Sequence, residues 1–296
     1  MSTETSSSTP PNVITNNPHL QLGTKLQELI DYRYLLQNLI TRDLKVRYKN
    51  SVLGVLWSLL NPLLMMMVFS IIFTVAFARD DVRQYPVFFL VGLLPWQFFT
   101  GSLITGTVSI TANGALLKKI FFPREMLPVA AVLSNLVNFS FALIVLVVFL
   151  YASGLGLTWY ALWVFPLLIT QIIFVLGLAF LLGSINVFYR DVMMILDVVV
   201  LAWFFLTPIM YPLDLFGSTQ TFMGITFDPG QVMRWLNPMA SIIDGYRTVL
   251  WGNMQSTGPV PMHIPYVIRT FVTSVIVFFV GYGFFLRMES MFGEKL

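Results

Sequence analysis

The sequence predicts an all-α membrane protein with six transmembrane helices, an N-terminal interfacial amphipathic helix, and external re-entrant helices between spans 5 and 6. Hydrophobic residues make up 57% of the 296 residues and charged residues only 10%. The mean hydropathy is +0.79. Soluble domains carry about 25% charged residues. The hydrophobic content therefore predicts a chain that lies almost entirely in or against a membrane.

The chain begins with a polar stretch followed by an amphipathic one. Residues 1–18 are rich in Ser, Thr, Asn and Pro, so residues 1–23 are predicted to be a disordered cytoplasmic tail. Residues 24–50 are predicted to form a helix in the membrane interface, with its apolar stripe in lipid and its cations near anionic head groups. The alternative is a soluble helix docked on a partner protein. The stripe comprises Leu29, Tyr32, Leu36, Leu39, Ile40 and Leu44, and the cations are Arg33, Arg42, Lys45, Arg47 and Lys49.

Residues 51–296 form a predicted six-span domain. A helix needs about 20 apolar residues to cross a bilayer. An even number of spans puts both termini on one side. Twelve of the 17 Lys and Arg residues fall on that side, which the positive-inside rule makes cytoplasmic. The predicted spans are residues 52–78, 85–112, 127–151, 159–187, 192–211 and 266–286.

Residues 113–125, NGALLKKIFFPRE, interrupt two long uncharged runs. Their apolar members fall at helical spacing, and Pro123 prevents the helix from continuing. The pattern predicts a short amphipathic helix at the membrane surface that can receive a push from a soluble partner. The alternative is an ordinary cytoplasmic loop with basic topology signals. The candidate coupling residues are Leu116, Leu117, Lys118, Lys119, Ile120, Phe121, Arg124 and Glu125.

The long external connection, residues 212–265, is largely apolar and would be unstable if it were fully solvated. Prolines frame two helical segments that can neither span the membrane nor face water, so they are predicted to fold back as an external gate. The alternative is a small cap without a gating role. The candidate gate residues are Pro208, Tyr211, Pro212, Trp235, Asn237, Pro238 and Tyr246, of which Tyr211, Trp235 and Tyr246 are candidate ring-stacking contacts for sugar.

Several kinds of chemistry have no basis in the sequence. The chain has no cysteine and only two histidines, and it lacks the G-x-x-x-x-G-K-[ST] phosphate loop. These observations predict that the chain has no cofactor and no metal site of its own. Asp197 is predicted to be structural, at the interface or paired with Arg190.

Two small-residue motifs predict close approach of helices within the membrane. They are Ser102-x-x-x-Gly106 in the second span and Ala179-x-x-x-Gly183 in the fourth.

Five motifs, spread over most of the chain, resemble those of a known family. The chain resembles the membrane (permease) subunit of type-2 ABC exporters for O-antigen, teichoic acid and related cell-surface polysaccharides. The motifs are RDLKVRYKNSVLGVLWSLLNPL at residues 42–63, KKIFFPRE at 118–125, NVFYRD at 186–191, LTPIMYP at 206–212 and NPMASIIDGYR at 237–247.

The resemblance implies a homodimer with two copies of a separate nucleotide-binding ATPase, which holds ATP and Mg. It implies that residues 113–125 supply the coupling helix, that Arg190 and Asp191 lie in a cytoplasmic loop, and that the segment before the last span forms the external gate. It further implies a cargo of polysaccharide on a polyprenyl-diphosphate lipid, a location in the bacterial cytoplasmic (inner) membrane, and no nucleic-acid partner.

The predicted function is thus the transmembrane subunit of an ATP-driven exporter of lipid-linked polysaccharide. The first alternative is a type-2 ABC permease for a drug or another lipid. The second is a membrane enzyme acting on lipid-linked sugar, which is ranked last because Arg190 and Asp191 have no second acidic pair beside them.

Overall fold

The computed structural model describes residues 31–49, 51, 53–54, 56–72, 82–119, 122–213, 220–222 and 225–295. The predicted tail at residues 1–23 lies outside the described residues. So do the first turns of the predicted interface helix, the end of the first predicted span, and Ile120 and Phe121 of the predicted coupling segment.

The described chain is mostly helical, and its only regular strands form one short hairpin. The antiparallel strands β1 (Gln220–Phe222) and β2 (Ile225–Phe227) pair Thr221 with Thr226. The helices are α1 (Arg33–Tyr48), α2 (Leu56–Ile71), α3 (Tyr85–Ala112), α4 (Gly114–Leu117), α5 (Met126–Ala152), α6 (Val164–Phe188), α7 (Val192–Leu206), α8 (Pro229–Leu236), α9 (Pro238–Leu250), α10 (Ile264–Met288) and α11 (Phe292–Lys295), with 3-10 turns at Trp159–Trp163 and Glu289–Met291.

Four helical segments are long and apolar enough to cross a membrane: Tyr85–Ala112, Met126–Ala152, Trp159–Phe188 and Ile264–Met291. They correspond to the second, third, fourth and sixth predicted spans. The helices at the first and fifth predicted spans are shorter, with 16 residues in α2 and 15 in α7.

The helix at the fifth predicted span, α7, ends at Leu206, five residues before the predicted end of that span. A residue that precedes proline avoids helical backbone angles. Thr207, which precedes Pro208, accordingly has an extended ψ of 134°. The apolar run continues past this point, which is why hydropathy alone extended the span.

Helix α3 lies at the centre of the bundle, where it packs against α2, α5, α6, α7 and α9. Most of its side chains are buried, including Phe88, Phe89 and Phe99. The helices approach closely at the two small-residue motifs, which contact each other: a Cβ on Gly106 of α3 would lie 2.7 Å from the Cβ of Ala179 on α6. On the other side of α6, the backbone of Gly281 in α10 touches that of Gly177.

The Gly281 contact predicts a strong effect of a single added methyl group. In Gly281→Ala the new Cβ meets the Gly177 backbone, which cannot move aside as a side chain can. We expect a loss of about 1–3 kcal/mol of stability, as for other overpacked sites. Gly283→Ala, two residues along, is the control, because a Cβ there meets nothing within 4 Å. Thermal unfolding in detergent checks this, and equal melting temperatures for the two variants would contradict it.

Candidate functional site

A buried stretch of non-helical backbone follows α7. Thr207, Pro208, Ile209, Pro212 and Leu213 are all buried. Buried carbonyl groups outside regular structure need hydrogen-bond donors from elsewhere in the protein. The carbonyls of residues 208–211 therefore require side-chain donors from the helices that pack around them.

The side chain of Arg247, on α9, supplies most of these donors. Its guanidinium donates to the carbonyl oxygens of Pro208 and Ile209 and, at 3.3 Å, to that of Tyr211. The hydroxyl of Tyr85 donates to the carbonyl of Met210 at 3.0 Å. Four successive carbonyls are thus each satisfied by a side chain from another helix.

Arg247 is itself held against α3. Its guanidinium carbon lies 3.7 Å from the centroid of the Phe88 ring, a cation–π contact. One turn further along α3, a Cβ on Gly92 would lie 2.6 Å from Nη2, so glycine leaves the space that the guanidinium occupies. The residue is only 4% exposed. Burial lowers the pKa of Arg247, and the Asp244 carboxylate partly opposes that shift.

Asn237 ties the beginning of α9 to the end of α7. Its Oδ1 accepts from the backbone N–H groups of Met239 and Ala240, at 3.1 and 3.2 Å, and so caps α9. The same oxygen accepts from Trp203 Nε1 at 2.9 Å, and Asn237 Nδ2 donates to Thr207 Oγ1 at 3.0 Å. Both ends of α9 are therefore fixed to the α7 side of the bundle.

The end of α9 is also tied to the loop before α3. Arg83 Nη2 donates to the carbonyl of Trp251 at 2.8 Å, and Trp251 Nε1 donates back to the carbonyl of Arg83 at 2.9 Å. Arg269 on α10 donates to the carbonyls of Arg234 and Trp235, at the end of α8. These contacts join α8, α9 and α10 to the centre of the bundle.

The candidate gate residues do not share one environment. Pro208 and Pro212 are buried, and Tyr211 is half-buried with its hydroxyl donating to the carbonyl of Phe205 at 3.0 Å. Trp235 is 59% exposed, and the guanidinium of Arg269 lies over its ring, 5.3 Å from the ring centroid. Tyr246 is fully buried, and its hydroxyl has no hydrogen-bond partner among the described residues, so its ring cannot stack on a sugar in this conformation.

The apolar stripe of α1 packs against the protein itself, which corrects the expectation that all of it lies in lipid. Leu39 is 3% exposed and belongs to a cluster with Met126 and Leu127 of α5, against which Leu36 and Ile40 also pack. Sequence periodicity reports that a stripe is apolar but not what covers it. Among the candidate cations, Arg42 pairs with Asp43 at 2.8 Å, Lys45 and Lys49 are exposed, and Arg47 donates to Asn135 Oδ1 of α5 at 3.1 Å.

The segment predicted to couple the chain to a partner is a single helical turn, α4, followed by exposed Lys118 and Lys119. Leu116 and Leu117 pack on the same cluster as Leu39. Leu116 and Leu117 are therefore covered by the chain itself, whereas Lys118 and Lys119 face outward. Arg124 donates to the carbonyl of Glu289, and Glu125 is 2% exposed, so both hold the segment in place.

The residues between α6 and α7 lie at the surface. Arg190 and Asp191 are exposed, and Asp191 precedes the first residue of α7. Asp197 is also exposed, on α7. No ion pair joins it to Arg190 within the described part of the chain, so the pairing expected for Asp197 is not formed.

The bundle of long apolar helices, with its proline-broken and tightly tethered α7–α9 region, defines a multi-pass membrane protein. The family model for ABC-2 type transporters matches residues 34–251. The chain belongs to the ABC-2 type transporter family, and it is a transport subunit rather than an enzyme.

Curated relatives support this assignment. The O-antigen export system permease protein RfbA of Myxococcus xanthus is 37% identical over 227 residues, which cover 76% of this chain and 84% of the relative. Two proteins of the same name from Klebsiella pneumoniae are 33% and 31% identical over 279 residues, which cover 93% of this chain and 100% of each relative.

The Arg247 contacts predict that weakening them frees the backbone after α7. In Arg247→Lys the charge remains but the guanidinium fork is lost, and in Gly92→Ala the new Cβ displaces the guanidinium. Ile209→Cys is the reporter, because Ile209 is 0% exposed and the chain has no cysteine. Each lost hydrogen bond to a charged group costs about 1.5–3 kcal/mol, so we expect the thiol to be labelled about tenfold faster, or more, in both backgrounds.

The measurement is the rate of maleimide labelling of the purified protein in detergent. Arg287→Lys is the matched control, because Arg287 is exposed at the other end of the bundle on α10. Labelling at the unaltered rate in both test backgrounds would show that Arg247 does not hold this segment.

Proposed function

We propose that this chain is the transmembrane subunit of an ATP-driven exporter that moves a lipid-linked polysaccharide of the O-antigen type from the cytoplasmic to the external side of the membrane. The observation that carries the proposal is the match to relatives named O-antigen export permeases, which extends over 93% of this chain and the whole of two of them. The cargo is polysaccharide on a polyprenyl-diphosphate lipid.

The proposed topology has six spans in a bacterial cytoplasmic (inner) membrane, with both termini cytoplasmic. The four long apolar helices support four of these spans. Helices α2 and α7 supply the other two, although 16 and 15 residues cover only about 24 and 22 Å. The buried segment after α7 extends the fifth span, and non-helical backbone is tolerated at membrane depth where protein surrounds it.

The working unit is a homodimer with two copies of an ATPase subunit, which binds ATP and Mg. The exposed Lys118 and Lys119 form the contact with this subunit, and the inward packing of Leu116 and Leu117 transmits force to α1 and α5. On the other side of the membrane, α8 and α9 form the external gate, where the exposed ring of Trp235 contacts emerging sugar.

The export test uses a strain that lacks the gene for this chain. We expect lipid-linked polysaccharide to accumulate on the cytoplasmic side of the membrane, and the intact gene to restore its appearance at the cell surface. A Lys118→Glu/Lys119→Glu variant should restore at most about a tenth of the export, because two charge reversals in an electrostatically complementary interface each cost several kcal/mol.

Arg287→Glu is the control for that variant, since it reverses one exposed charge at the other side of the cytoplasmic face. Surface polysaccharide is measured with the amounts of inserted protein matched. Normal surface polysaccharide in the deletion strain would refute the proposed function, whereas normal export by the double variant would refute only the coupling role.

The topology test places single cysteines in the chain, which has none of its own. Thr158→Cys, in the exposed turn before α6, should react with a membrane-impermeant thiol reagent added outside cells whose inner membrane is intact. Lys119→Cys should react only after that membrane is permeabilised. External labelling at position 119 would reverse the proposed orientation.

A further inference from the structure

A cavity of about 480 Å³, with apolar walls and a set of polar side chains, lies between α1, α2, α3 and α5. Its polar lining includes one cation, Arg47, and four amides, Asn61, Gln97, Asn135 and Asn138, and no Asp or Glu lines it within the described part of the chain. Four aromatic rings, those of Tyr48, Trp57, Phe98 and Phe139, also line it. The lining is therefore rich in hydrogen-bond donors and carries net positive charge.

The cavity lies at the depth of the middle of the long helices. Gln97 is twelve residues from the first residue of α3, and Asn138 is twelve residues from the first residue of α5. Each is therefore about 18 Å along a helix long enough to cross a membrane. Polar and charged groups at such depth are costly, and they mark substrate paths more often than they serve packing.

The donors in the cavity outnumber the acceptors that the protein offers them. Arg47 makes one side-chain hydrogen bond, to Asn135 Oδ1, although a guanidinium has five N–H groups. The carboxylate one turn earlier on α1, that of Asp43, is paired with Arg42 instead. Asn138 Oδ1 accepts from the Tyr48 hydroxyl at 2.7 Å, while its buried Nδ2 has no partner within the described residues. The side-chain amides of Asn61 and Gln97 make no hydrogen bond to any other described residue.

We propose that this cavity binds the phosphate group of an anionic membrane lipid. Arg47 supplies the charge, and the amides of Asn61, Gln97 and Asn138 supply further donors to the phosphate oxygens. A phosphate fits this lining because it brings several acceptor oxygens and a negative charge to a guanidinium that faces no carboxylate. The proposal rests on the proposed function only in naming a polyprenyl diphosphate as the lipid.

The test measures lipid binding to the purified complex of this chain with its ATPase subunit. Three probes are used: a polyprenyl diphosphate, phosphatidylglycerol, and inorganic diphosphate as a competitor. The variants are Arg47→Gln, which removes the charge, and Asn138→Asp, which adds a negative charge but still accepts the Tyr48 hydrogen bond. Arg287→Gln is the charge-matched control, because Arg287 lies outside this cavity.

We expect both cavity variants to bind the polyprenyl diphosphate at least about tenfold more weakly, because the loss of one hydrogen bond to a charged group weakens binding by about that factor. The control should stay within about twofold, and Arg47→Lys should recover part of the binding. Asn138→Asp keeps the test decisive if Arg47→Gln fails to assemble, because it preserves size and the Tyr48 contact.

The three probes separate the possible sources of the phosphate. Phosphatidylglycerol binding with the same dependence on Arg47 supports a site for anionic lipid phosphate in general. Competition by inorganic diphosphate supports recognition of the polar group alone. If neither lipid depends on Arg47 or on the charge at position 138, the proposal is overturned and Arg47 serves another contact, such as one with a second copy of the chain. Export in cells then remains a separate question, because it is measured without reference to this cavity.

Discussion

The packing of α7, α8 and α9 depends on the contact between Arg247 and the backbone after α7. Proline removes helical hydrogen bonding there and leaves carbonyls 208–211 inside the protein. A buried cation without partners and a row of buried carbonyls without donors would each be severely destabilising. Here the two Nη groups of Arg247 bond three of the carbonyls, and the Phe88 ring and the space left at Gly92 accommodate the guanidinium. The cation thus supplies donors that the proline break removes from the helix.

This contact is one of several by which α9 is hydrogen-bonded to α7 and to the segment that follows α7. Asn237 joins its first turn to Thr207 and Trp203, and Arg247 joins its last turn to residues 208–211. Helix α9 also packs on α3, α6 and α10. A displacement of the end of α7 must therefore move α9 or break several charged and amide hydrogen bonds. If α8 and α9 form the proposed gate, these contacts would make it move together with the end of α7.

Hydropathy predicted the four long apolar helical segments to within about five residues at each end, because a long apolar run is itself what qualifies a helix to cross a membrane. The close approach of α3 and α6 at their small-residue motifs was also predicted, because only small side chains let two helix backbones come so near each other. The Arg247 contact was not predicted, because its partners are backbone carbonyls 36 to 39 residues away. Every residue has such a carbonyl, so the sequence does not indicate which of them will bind a distant side chain. The local signal was a charged residue inside an otherwise apolar segment. Burial of Tyr246 and the inward packing of Leu117 were missed because periodicity does not identify the covering surface.

Two arginines differ in a way that distinguishes a structural role from the proposed ligand binding. Arg247 is 4% exposed and shares its N–H groups among three backbone carbonyls. Arg47 is exposed, has one amide acceptor, and borders a cavity lined with further donors. The one hydrogen bond of Arg47 is to a neutral amide, so its charge has no counterpart among the described residues of the cavity. An oxygen-rich anion would supply both the negative charge and the missing acceptors.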